Sequence, residues 1–356
     1  MEHEVDVVVI GAGQAGLSSA HHLRRGGAEF AVLDAGAGAG GAWRHRWPSL
    51  RLGGVHGIHD LPGLALEEKD GARPASEVLA EYFARYEREF DLPVHRPVQV
   101  RSVRRGPDER LLVDADVGAG ATGTWAARAV INATGTWTKP FVPHYPGQDA
   151  FTGRQLHVAD YRGAAEFRGL RVAVVGGGIS AVELLTEIAE VATTTWVTRR
   201  PPVFGDAEFT PDAGRRAVAE VDRRVRAGLP PGSVVSVTGL PPTPAVLRAR
   251  DAGVLDRHPM FERITPRGLR WADGTEVEVD VLLWATGFRA ALDHLRPLGL
   301  REPGGGIRMD GTRVVAEPRL HLVGYGPSAS TIGANRAGRA AARDVQRLLR
   351  PSGALL

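Results

Sequence analysis

The chain has 356 residues, of which 44 are Lys or Arg and 41 are Asp or Glu, and 43% of its residues are hydrophobic. It contains no cysteine, which excludes disulfide bonds, thiolate metal ligands, a cysteine nucleophile and a dithiol redox relay. The net charge is only +3 and no basic block stands out, so nucleic acid is not an expected partner. The length allows two domains, each with its own core.

The amino-terminal region and the hydropathy pattern bear on location. The first predicted strand begins at Val5 and leaves no room for a signal peptide, and no apolar run approaches the length of a membrane span. We therefore expect a soluble, cytoplasmic protein with no membrane partner.

A strand, a glycine turn and a helix open the chain. The β-branched run 5–10 predicts the strand, residues 11–16 the turn, and residues 17 to about 26 the helix. Gly11 permits the tight turn, Gly13 lets a pyrophosphate approach the backbone, and Gly16 lets the helix pack close to the strand. The free N–H groups and the positive dipole end of the helix then face the phosphates. This arrangement predicts a dinucleotide site.

The second strand supports that prediction. Phe30–Leu33 ends in Asp34, and an acid at this position accepts both hydroxyls of an adenosine ribose. The loop that follows, Gly36–Trp43, is rich in glycine and ends in an aromatic ring. Such a loop can lie along a cofactor, although Trp43 and Trp47 fit the edge of a hydrophobic core equally well.

A helix and further strands come next. Apolar residues at helical spacing from Pro74 to Phe90 predict an amphipathic helix that packs through its aromatic face. Residues 98–104 and 110–117 are predicted strands, with a loose turn at 118–124. The buried strand Ala129–Asn132 runs into Ala133-Thr134-Gly135, and small residues at a strand end let the backbone touch a nucleotide.

The strand, turn and helix then recur. Leu170–Val175 is a second strand, Gly176-Gly177-Gly178-Ile179-Ser180-Ala181 a second turn, and a helix continues through Val191. The next strand, 194–198, ends in Arg199-Arg200 where the first unit has an acid. Guanidinium groups clamp a 2′-phosphate, so this site should prefer NADPH to NADH, unless both Arg side chains simply face solvent.

The remaining chain completes the second half and returns to the first. Residues 201–266 are irregular, apart from a charged helix around 211–227, and 268–279 predict a hairpin. The buried strand Val281–Trp284 again precedes Ala-Thr-Gly, at Ala285-Thr286-Gly287, so the chain contains two nucleotide-binding halves.

The last segment predicts a strand, small residues and a helix. The strand Leu320–Gly326 leads through small residues, including Ser330, to a helix from about Asn335 to Leu349. Small residues at a helix start offer a second place where a phosphate or a flavin edge can rest.

We therefore expect an α/β fold with two Rossmann-like dinucleotide-binding domains, the second inserted into the first. The first predicted domain comprises residues 1–149 and 287–356 and binds FAD or NAD, and the second comprises residues 150–286 and binds NADPH.

Four motifs resemble those of the class B flavin-dependent monooxygenases, particularly the small bacterial flavin-containing monooxygenases. The most specific is Phe151-x-Gly153-x-x-x-His157-x-x-x-Tyr161, which matches the FxGxxxHxxxY pattern of that family. The others are Gly40-Gly41-Ala42-Trp43, Gly176-x-Gly178-x-Ser180-Ala181 and Ala285-Thr286-Gly287-Phe288. They occur in the expected order over nearly the whole chain.

The resemblance implies FAD on the first turn, NADPH on the second, and an active site between them. It also implies that Val100 meets FAD through its backbone, that Trp43 lies near the flavin, and that a homodimer is possible. His157 and Tyr161 then organise the cleft, or only pack one domain on the other. The predicted cofactor-binding residues are Gly11, Gly13, Gln14, Ala15, Gly16, Asp34, Gly41, Ala42, Trp43, Val100, Ala133, Thr134, Gly135, Gly176, Gly178, Ile179, Ser180, Ala181, Arg199, Arg200, Ala285, Thr286, Gly287, Gly326 and Ser330.

Two departures from the family pattern stand out. Many members have a Thr-Asn pair at the flavin, where spacing places Leu52-Gly53, and many have an Asp after the Gly-Tyr-Gly of the last strand, where Pro327 stands. The first change removes an active-site amide and bears on how well the oxygenated flavin is stabilised.

The leading functional hypothesis is an NADPH-dependent FAD monooxygenase that uses O2 and a small-molecule substrate. In this chemistry oxygen adds to the flavin C4a, and the hydroperoxide oxygenates an N or S atom or, as the anion, a ketone. The cofactor supplies the difficult chemistry, so neither a protein nucleophile nor a metal is required. The alternatives are an NADPH-dependent reductase that passes electrons to a quinone or partner protein, and a non-catalytic nucleotide or redox sensor.

Overall fold

The computed structural model describes residues 2–55, 58–205, 211–232, 239–240 and 242–350. It divides into two compact units. Unit 1 comprises Met1–Gly135, Val218–Gly232 and Ala290–Leu356, and unit 2 comprises Thr136–Ala217 and Ser233–Arg289. Along the sequence, unit 2 is therefore inserted into unit 1.

The described residues form six α-helices and seventeen strands. The described helices are α1 (Gln14–Arg25), α2 (Ala75–Glu89), α3 (Ile179–Ile188), α4 (Pro211–Arg226), α5 (Pro244–Asp251) and α6 (Thr331–Leu349). The described strands are β1 (Glu2–Ile10), β2 (Phe30–Leu33), β3 (Val94–His95), β4 (Gln99–Arg105), β5 (Leu111–Asp116), β6 (Thr122–Asn132), β7 (Arg154–His157), β8 (Arg171–Val175), β9 (Thr193–Val197), β10 (Arg257–His258), β11 (Arg263–Thr265), β12 (Gly268–Arg270), β13 (Glu276–Glu278), β14 (Val281–Trp284), β15 (Met309–Asp310), β16 (Arg313–Val314) and β17 (Glu317–Leu322). None of these helices is long and apolar enough to cross a membrane.

The sheet of unit 1 brings the predicted cofactor residues to one edge. Its strand order is β15-β16-β17-β6-β1-β2-β3, and β4 and β5 extend it from β6 as antiparallel strands. β1 lies between β2 and β6, with Val8 opposite Ala31 and Val130 in parallel register. The carboxyl ends of β1, β2, β6 and β17 thus meet along one edge, where ligands bind in sheets of this kind.

Both faces of β1 are buried in its second half, residues 7–10, whereas its first three residues are exposed. Val7 belongs to a core cluster with Leu17 of α1 and Phe83 of α2. Its neighbour Val8 belongs to a second cluster on the other face, with Val113 of β5. Because successive side chains of a strand point to opposite faces, a segment covered on both sides has a continuous apolar sequence, as residues 7–10 do.

Unit 2 contains a second parallel sheet of order β10-β9-β8-β14-β7. At its centre, Val174 of β8 lies opposite Trp196 of β9 and Leu283 of β14. The hairpin predicted at 268–279 is confirmed: β12 and β13 are antiparallel, and with β11 they form a separate three-stranded sheet. The mixed sheet of unit 1, with parallel strands at its centre, and the parallel sheet of unit 2 confirm the predicted α/β class.

Several elements begin earlier than predicted, and for β6 and α6 the contacts show why. β6 begins at Thr122 rather than Ala129, because its first half pairs with β5 in antiparallel register, and so the turn predicted at 118–124 is shorter. α6 begins at Thr331 rather than Asn335, because the Ser330 hydroxyl accepts a hydrogen bond from the Gly333 amide at 3.1 Å and caps the helix.

The compact units differ from the predicted domains in two main stretches. Residues 136–149, predicted to be in the first domain, lie in unit 2, where the Phe141 amide donates to the Gly287 carbonyl at 3.0 Å. Residues 218–232, predicted to be in the second domain, lie in unit 1, where Val225 is buried in the core. Neither stretch carries a sequence motif, so the sequence alone did not indicate which unit each one joins.

Candidate cofactor-binding sites

The first glycine turn has one open position between two crowded ones. A Cβ on Gly16 would lie 1.9 Å from the Gly11 carbonyl oxygen, and one on Gly11, where φ is +96°, would lie 2.7 Å from the Ala133 carbonyl oxygen. A Cβ on Gly13 would meet nothing within 4 Å. Gly13 also begins α1, and no side chain caps that helix. The turn therefore presents open backbone and a helix N-terminus, which fit a pyrophosphate.

The acid at the end of β2 lies beside this turn. The Asp34 Oδ1 atom accepts a hydrogen bond from the Ala12 amide at 3.2 Å. The other oxygen, Oδ2, accepts from Arg96 Nε at 2.5 Å, and Arg96 in turn contacts Glu87. Each carboxylate oxygen has a lone pair beyond the bond already made, and a carboxylate at the end of this strand is the group that accepts ribose hydroxyls in dinucleotide sites of this type.

The glycine-rich loop lies directly against the turn. A Cβ on Gly41, where φ is +52°, would lie 2.8 Å from the Cα atom of Gly13. Ala42 is exposed, whereas Trp43 is half-buried and packs against the core cluster of α1 and α2. The Arg46 guanidinium lies 5.9 Å from the Trp43 ring centroid. The loop is therefore placed to lie along a cofactor, and the Trp43 ring contributes to the core as well.

The Ala-Thr-Gly segment after β6 is fixed by a buried polar network. The Ala133 amide donates to the Ile10 carbonyl at 2.8 Å, and the Thr134 hydroxyl donates to the Ala291 carbonyl at 2.7 Å. Asn132 lies behind them and accepts from His294 Nε2 at 2.7 Å. Burial lowers the pKa of His294 to about 4, so the ring is neutral at neutral pH.

Gly135 completes this segment and, with φ of +60°, would place a Cβ in open space. Val100 is 6% exposed and its side chain lies in the core of the opposite face. Only its backbone is left to meet a cofactor, as the resemblance implies.

The other predicted residues of unit 1 have structural partners. Gln14 donates through Nε2 to the Asn335 side chain at 2.9 Å and to the His59 carbonyl at 3.1 Å. Ala15 is buried. A Cβ on Gly326 would lie 3.0 Å from Val225 Cγ2, so this glycine packs against α4. Together with the α6 cap formed by the Ser330 hydroxyl, these contacts leave mainly backbone groups for a ligand.

The second glycine turn repeats the geometry of the first. A Cβ on Gly176, where φ is +148°, would lie 2.2 Å from the Ala285 carbonyl oxygen, whereas one on Gly178 would meet nothing within 4 Å. Gly178 begins α3, again without a side-chain cap. At the start of α3, Ile179 is 39% exposed and Ala181 is buried. With Ser180 between them, this helix start can receive a second dinucleotide phosphate group.

Arg199 and Arg200 follow β9 after one intervening residue, Thr198, and are both exposed. The Arg200 carbonyl accepts a hydrogen bond from the Thr198 hydroxyl at 2.8 Å, which fixes the turn that carries them. Thr198 holds the position directly after the strand that Asp34 holds after β2, and the two arginines come one and two residues later. Their exposure fits the solvent-facing alternative as well as a phosphate site.

His157 holds the second Ala-Thr-Gly segment in place. Its Nε2 lies 3.0 Å from the Gly287 carbonyl oxygen, and its Nδ1 accepts from the Ala159 amide at 3.1 Å. The neutral ring therefore carries its proton on Nε2, and burial lowers its pKa. The Thr286 hydroxyl donates to the Phe141 carbonyl in the same segment. His157 thus supports a binding loop and has no nitrogen left for proton transfer.

Tyr161 is a packing residue of unit 2. It is 1% exposed, and its ring stacks on Phe167 at 5.8 Å between centroids with an interplanar angle of 7°. Burial, together with the nearby Glu187, raises its pKa. The described contacts of His157 and Tyr161 lie within unit 2, so the structure gives both residues a supporting role there.

The short turn Leu52–Gly54 carries no side-chain amide. The Leu52 amide donates to the Arg73 carbonyl at 2.9 Å and the Gly53 amide to the Gly71 carbonyl at 3.0 Å. The turn therefore offers a half-buried Leu52 side chain and, at Gly53, no side chain at all. In the part of the chain that the structure describes, no group of three or more His, Asp or Glu residues is arranged to hold a metal ion.

Sequence reasoning missed Arg96, Glu87 and Asn335. Arg96 follows a strand of only two residues, and Glu87 falls on the polar face of an amphipathic helix, where charged residues are ordinary. Arg96 and Glu87 belong to no motif. Only the fold shows that Glu87 contacts Arg96 and that Arg96 contacts Asp34.

Two sheets with parallel strands at their centres, and an open glycine turn at each, define a protein with two dinucleotide-binding domains. The model of the family described as "Pyridine nucleotide-disulphide oxidoreductase" matches residues 8–213. A solved structure of a flavin-containing monooxygenase from Stenotrophomonas maltophilia is 41% identical, covers 97% of this chain and 99% of its own, and superposes with a TM-score of 0.81. A doubly substituted variant of a flavin monooxygenase from the same organism is 42% identical over the same shares, with a TM-score of 0.82.

The chain therefore belongs to the pyridine nucleotide-disulphide oxidoreductase family and, within it, to the flavin-containing monooxygenases. Among curated relatives, an uncharacterized CzcO-like oxidoreductase of Geobacillus kaustophilus is 27% identical over 292 residues, which are 81% of this chain and 82% of that protein. A senecionine N-oxygenase of Tyria jacobaeae is 22% identical over 306 residues, which are 79% of this chain and 58% of that protein. The resemblance found in the motifs and the predicted fold with two Rossmann-like domains are thus confirmed.

Proposed function

We propose that this protein is an FAD-dependent, NADPH-consuming monooxygenase that transfers one oxygen atom from O2 to a small molecule. The observation that carries the proposal is the pair of open glycine turns, at Gly13 and Gly178, with opposite charges after the following strands. An acid suits the free ribose hydroxyls of FAD, and two guanidinium groups suit the 2′-phosphate of NADPH. The monooxygenase relatives support the same assignment.

In this proposal FAD binds to unit 1, which holds most of residues 1–149 and 287–356, and NADPH binds to unit 2, which holds most of residues 150–286. The backbone of the Gly13 turn binds the FAD pyrophosphate, and Asp34 accepts the ribose hydroxyls. The Gly178 turn binds the NADPH pyrophosphate, with Arg199 and Arg200 at the 2′-phosphate. His157 keeps the Ala285–Gly287 backbone in place beside that turn.

Bound FAD supplies the electron transfer and the oxygen activation. What remains for the chain is to bind and orient the two nucleotides and to exclude water from the reacting atoms. This division agrees with a composition free of cysteine and with a His157 ring whose two nitrogens are both hydrogen-bonded within the fold. The disulfide chemistry named in the family description is excluded for this chain, because it has no cysteine.

The substrate class is an amine or a sulfide, with a ketone as the Baeyer-Villiger alternative. The N-oxygenase relative supports oxygenation at a nucleophilic nitrogen. The proposal also includes a cytoplasmic location, where NADPH is supplied, and a homodimer, which light scattering would test.

Rapid mixing tests the proposed function. Enzyme that has been loaded with FAD and reduced with NADPH is mixed with oxygenated buffer, and the full flavin spectrum is followed with NADP⁺ still bound. We expect a long-lived spectrum that belongs to neither reduced nor oxidised flavin. Addition of an amine or a sulfide should then shorten its lifetime, and isotopically labelled oxygen should appear in the product.

The Leu52–Gly54 turn favours a second candidate, a flavoprotein reductase that passes electrons to a quinone or a partner protein. Without an amide side chain at this turn, fewer groups hold the oxygenated state of the cofactor. Direct return to oxidised flavin, with rapid quinone reduction, would support the reductase. Tight NADPH binding with negligible NADPH oxidation by any acceptor would instead indicate a nucleotide sensor.

A further inference from the structure

A guanidinium group lies between two carboxylates behind the first glycine turn. Arg96 Nε donates to Asp34 Oδ2 at 2.5 Å, and its two terminal nitrogens donate to the two Glu87 oxygens at 2.6 and 2.7 Å. Charge-assisted bonds of this kind, and the bidentate pair in particular, are strong and directional. Arg96 is therefore held in a fixed orientation by α2 while it contacts the acid at the end of β2.

The three side chains are largely removed from solvent. Side-chain exposure is 15% for Arg96, 13% for Asp34 and 13% for Glu87. Buried charges are costly unless they are paired, and without the guanidinium two carboxylates would face each other in this partly dry environment. Arg96 thus supplies the opposite charge that both carboxylates contact.

The carboxylate of Asp34 is oriented through both of its oxygens. Oδ1 accepts from the Ala12 amide at 3.2 Å, and Oδ2 accepts from Arg96. Two anchors, one on each oxygen, fix the plane of the carboxylate, yet each oxygen keeps a lone pair for a further donor. The two neighbouring hydroxyls of a ribose would supply two donors, one for each carboxylate oxygen.

We infer that Arg96, anchored by Glu87, is a positioning residue that orients Asp34 to receive the adenosine ribose of FAD. This inference rests on the proposed placement of FAD in the first domain. It assigns a role to a residue pair on α2 and after β3 that no motif of the sequence marks. The pair acts on the adenosine half of FAD and leaves the isoalloxazine ring untouched.

The test is the rate at which the holoenzyme releases FAD after dilution, followed by the rise in flavin fluorescence. Arg96→Met should release FAD about ten-fold faster or more, because a hydrogen-bonded charge is lost behind the ribose acid. The matched control is Arg73→Met. Arg73 also joins two carboxylates, Glu68 at 2.7 Å and Glu81 at 2.8 Å, and Glu81 also lies on α2. We expect the control to release FAD as slowly as the wild type.

An FAD analogue that lacks the adenosine 2′-hydroxyl separates positioning from general loosening of the fold. The wild type should release this analogue faster than FAD, whereas Arg96→Met should release both at similar rates, since groups that act through one another are not additive. Additive losses would overturn the inference and indicate a merely structural role. If Arg96→Met does not fold, Glu87→Gln keeps the shape of the anchor, and we expect an intermediate rate from it.

Failure of the inference can be told apart from failure of the proposed function. If wild type and Arg96→Met release FAD at the same rate, the inference alone is overturned. If the wild type binds no FAD at all, the proposed function and the inference fall together.

Discussion

Arg199 and Arg200 are two exposed residues whose partner is a phosphate group in our proposal. Replacement by Arg199→Gln with Arg200→Ala should raise the Michaelis constant for NADPH far more than that for NADH. Each charge-assisted hydrogen bond contributes about 1.5–3 kcal/mol of binding free energy. Only NADPH carries the 2′-phosphate, so only NADPH loses these bonds. Steady-state kinetics with both coenzymes measure the difference. Equal effects on the two constants would show that these side chains only face solvent.

For single residues, the sequence predicts which residue types a binding site contains better than it predicts which side chains they contact. Asp34 could be assigned from its place after β2, since an acid there has one common purpose. Its dependence on Arg96 could not, because the two residues meet only when β3 pairs with β2. His157 was found through a motif, but its hydrogen bonds to Gly287 and Ala159 appear only in the fold.

At the scale of the element, the two glycine turns are equivalent and can serve as controls for each other. Gly13 has φ of −84° and Gly178 has φ of −95°, values that alanine adopts freely. Gly13→Ala should therefore fold but lose FAD, because the new methyl group fills the space that the pyrophosphate needs. Gly178→Ala should keep FAD and raise the Michaelis constant for NADPH.

The flavin absorbance of each purified variant and its circular dichroism spectrum are the measurements. A fully yellow Gly13→Ala protein would contradict the placement of FAD at the first turn. Loss of FAD from Gly178→Ala would show instead that the two turns are not assigned as proposed.

The hydrophobic pattern of the sequence predicted the short buried strands closely. β2 has the predicted bounds 30–33, and β14 has the predicted bounds 281–284. Both are short buried runs flanked by turn residues. The first half of β6 was missed, since its pairing with β5 is decided by register along a long antiparallel ribbon, which a local pattern does not encode.

At the scale of the whole molecule, three histidines make the stability of unit 1 dependent on pH. Burial is the main cause that lowers the pKa of His22, His294 and His321 from 6.5 to about 4. Between these values the unfolded chain binds more protons than the folded one, so stability falls as the pH falls. Each fully coupled proton contributes about 1.4 kcal/mol per pH unit. His22 contributes less, because it is only half-buried and solvent screens it.

Urea unfolding at several pH values checks this expectation. The unfolding midpoint should be nearly constant above pH 6.5 and should fall as the pH approaches 4. His294→Gln should reduce the slope, because a neutral amide can still donate to Asn132. A midpoint independent of pH in this window would contradict the assignment of neutral, buried rings.

The route of the chain through the two units matters for protein engineering. The second unit is not one continuous stretch, because Val218–Gly232 belongs to the first. A chimera that exchanges residues 136–289 as a single cassette would also remove Val221 and Val225 from the core of the recipient. The grafted fragment would place other apolar side chains against Gly326. This glycine packs so closely on Val225 that a Cβ on it would lie 3.0 Å from Val225 Cγ2, so side chains of a different shape would fit poorly there. A coenzyme-swapped hybrid should therefore be assembled from two inserts, with the segment between them left native.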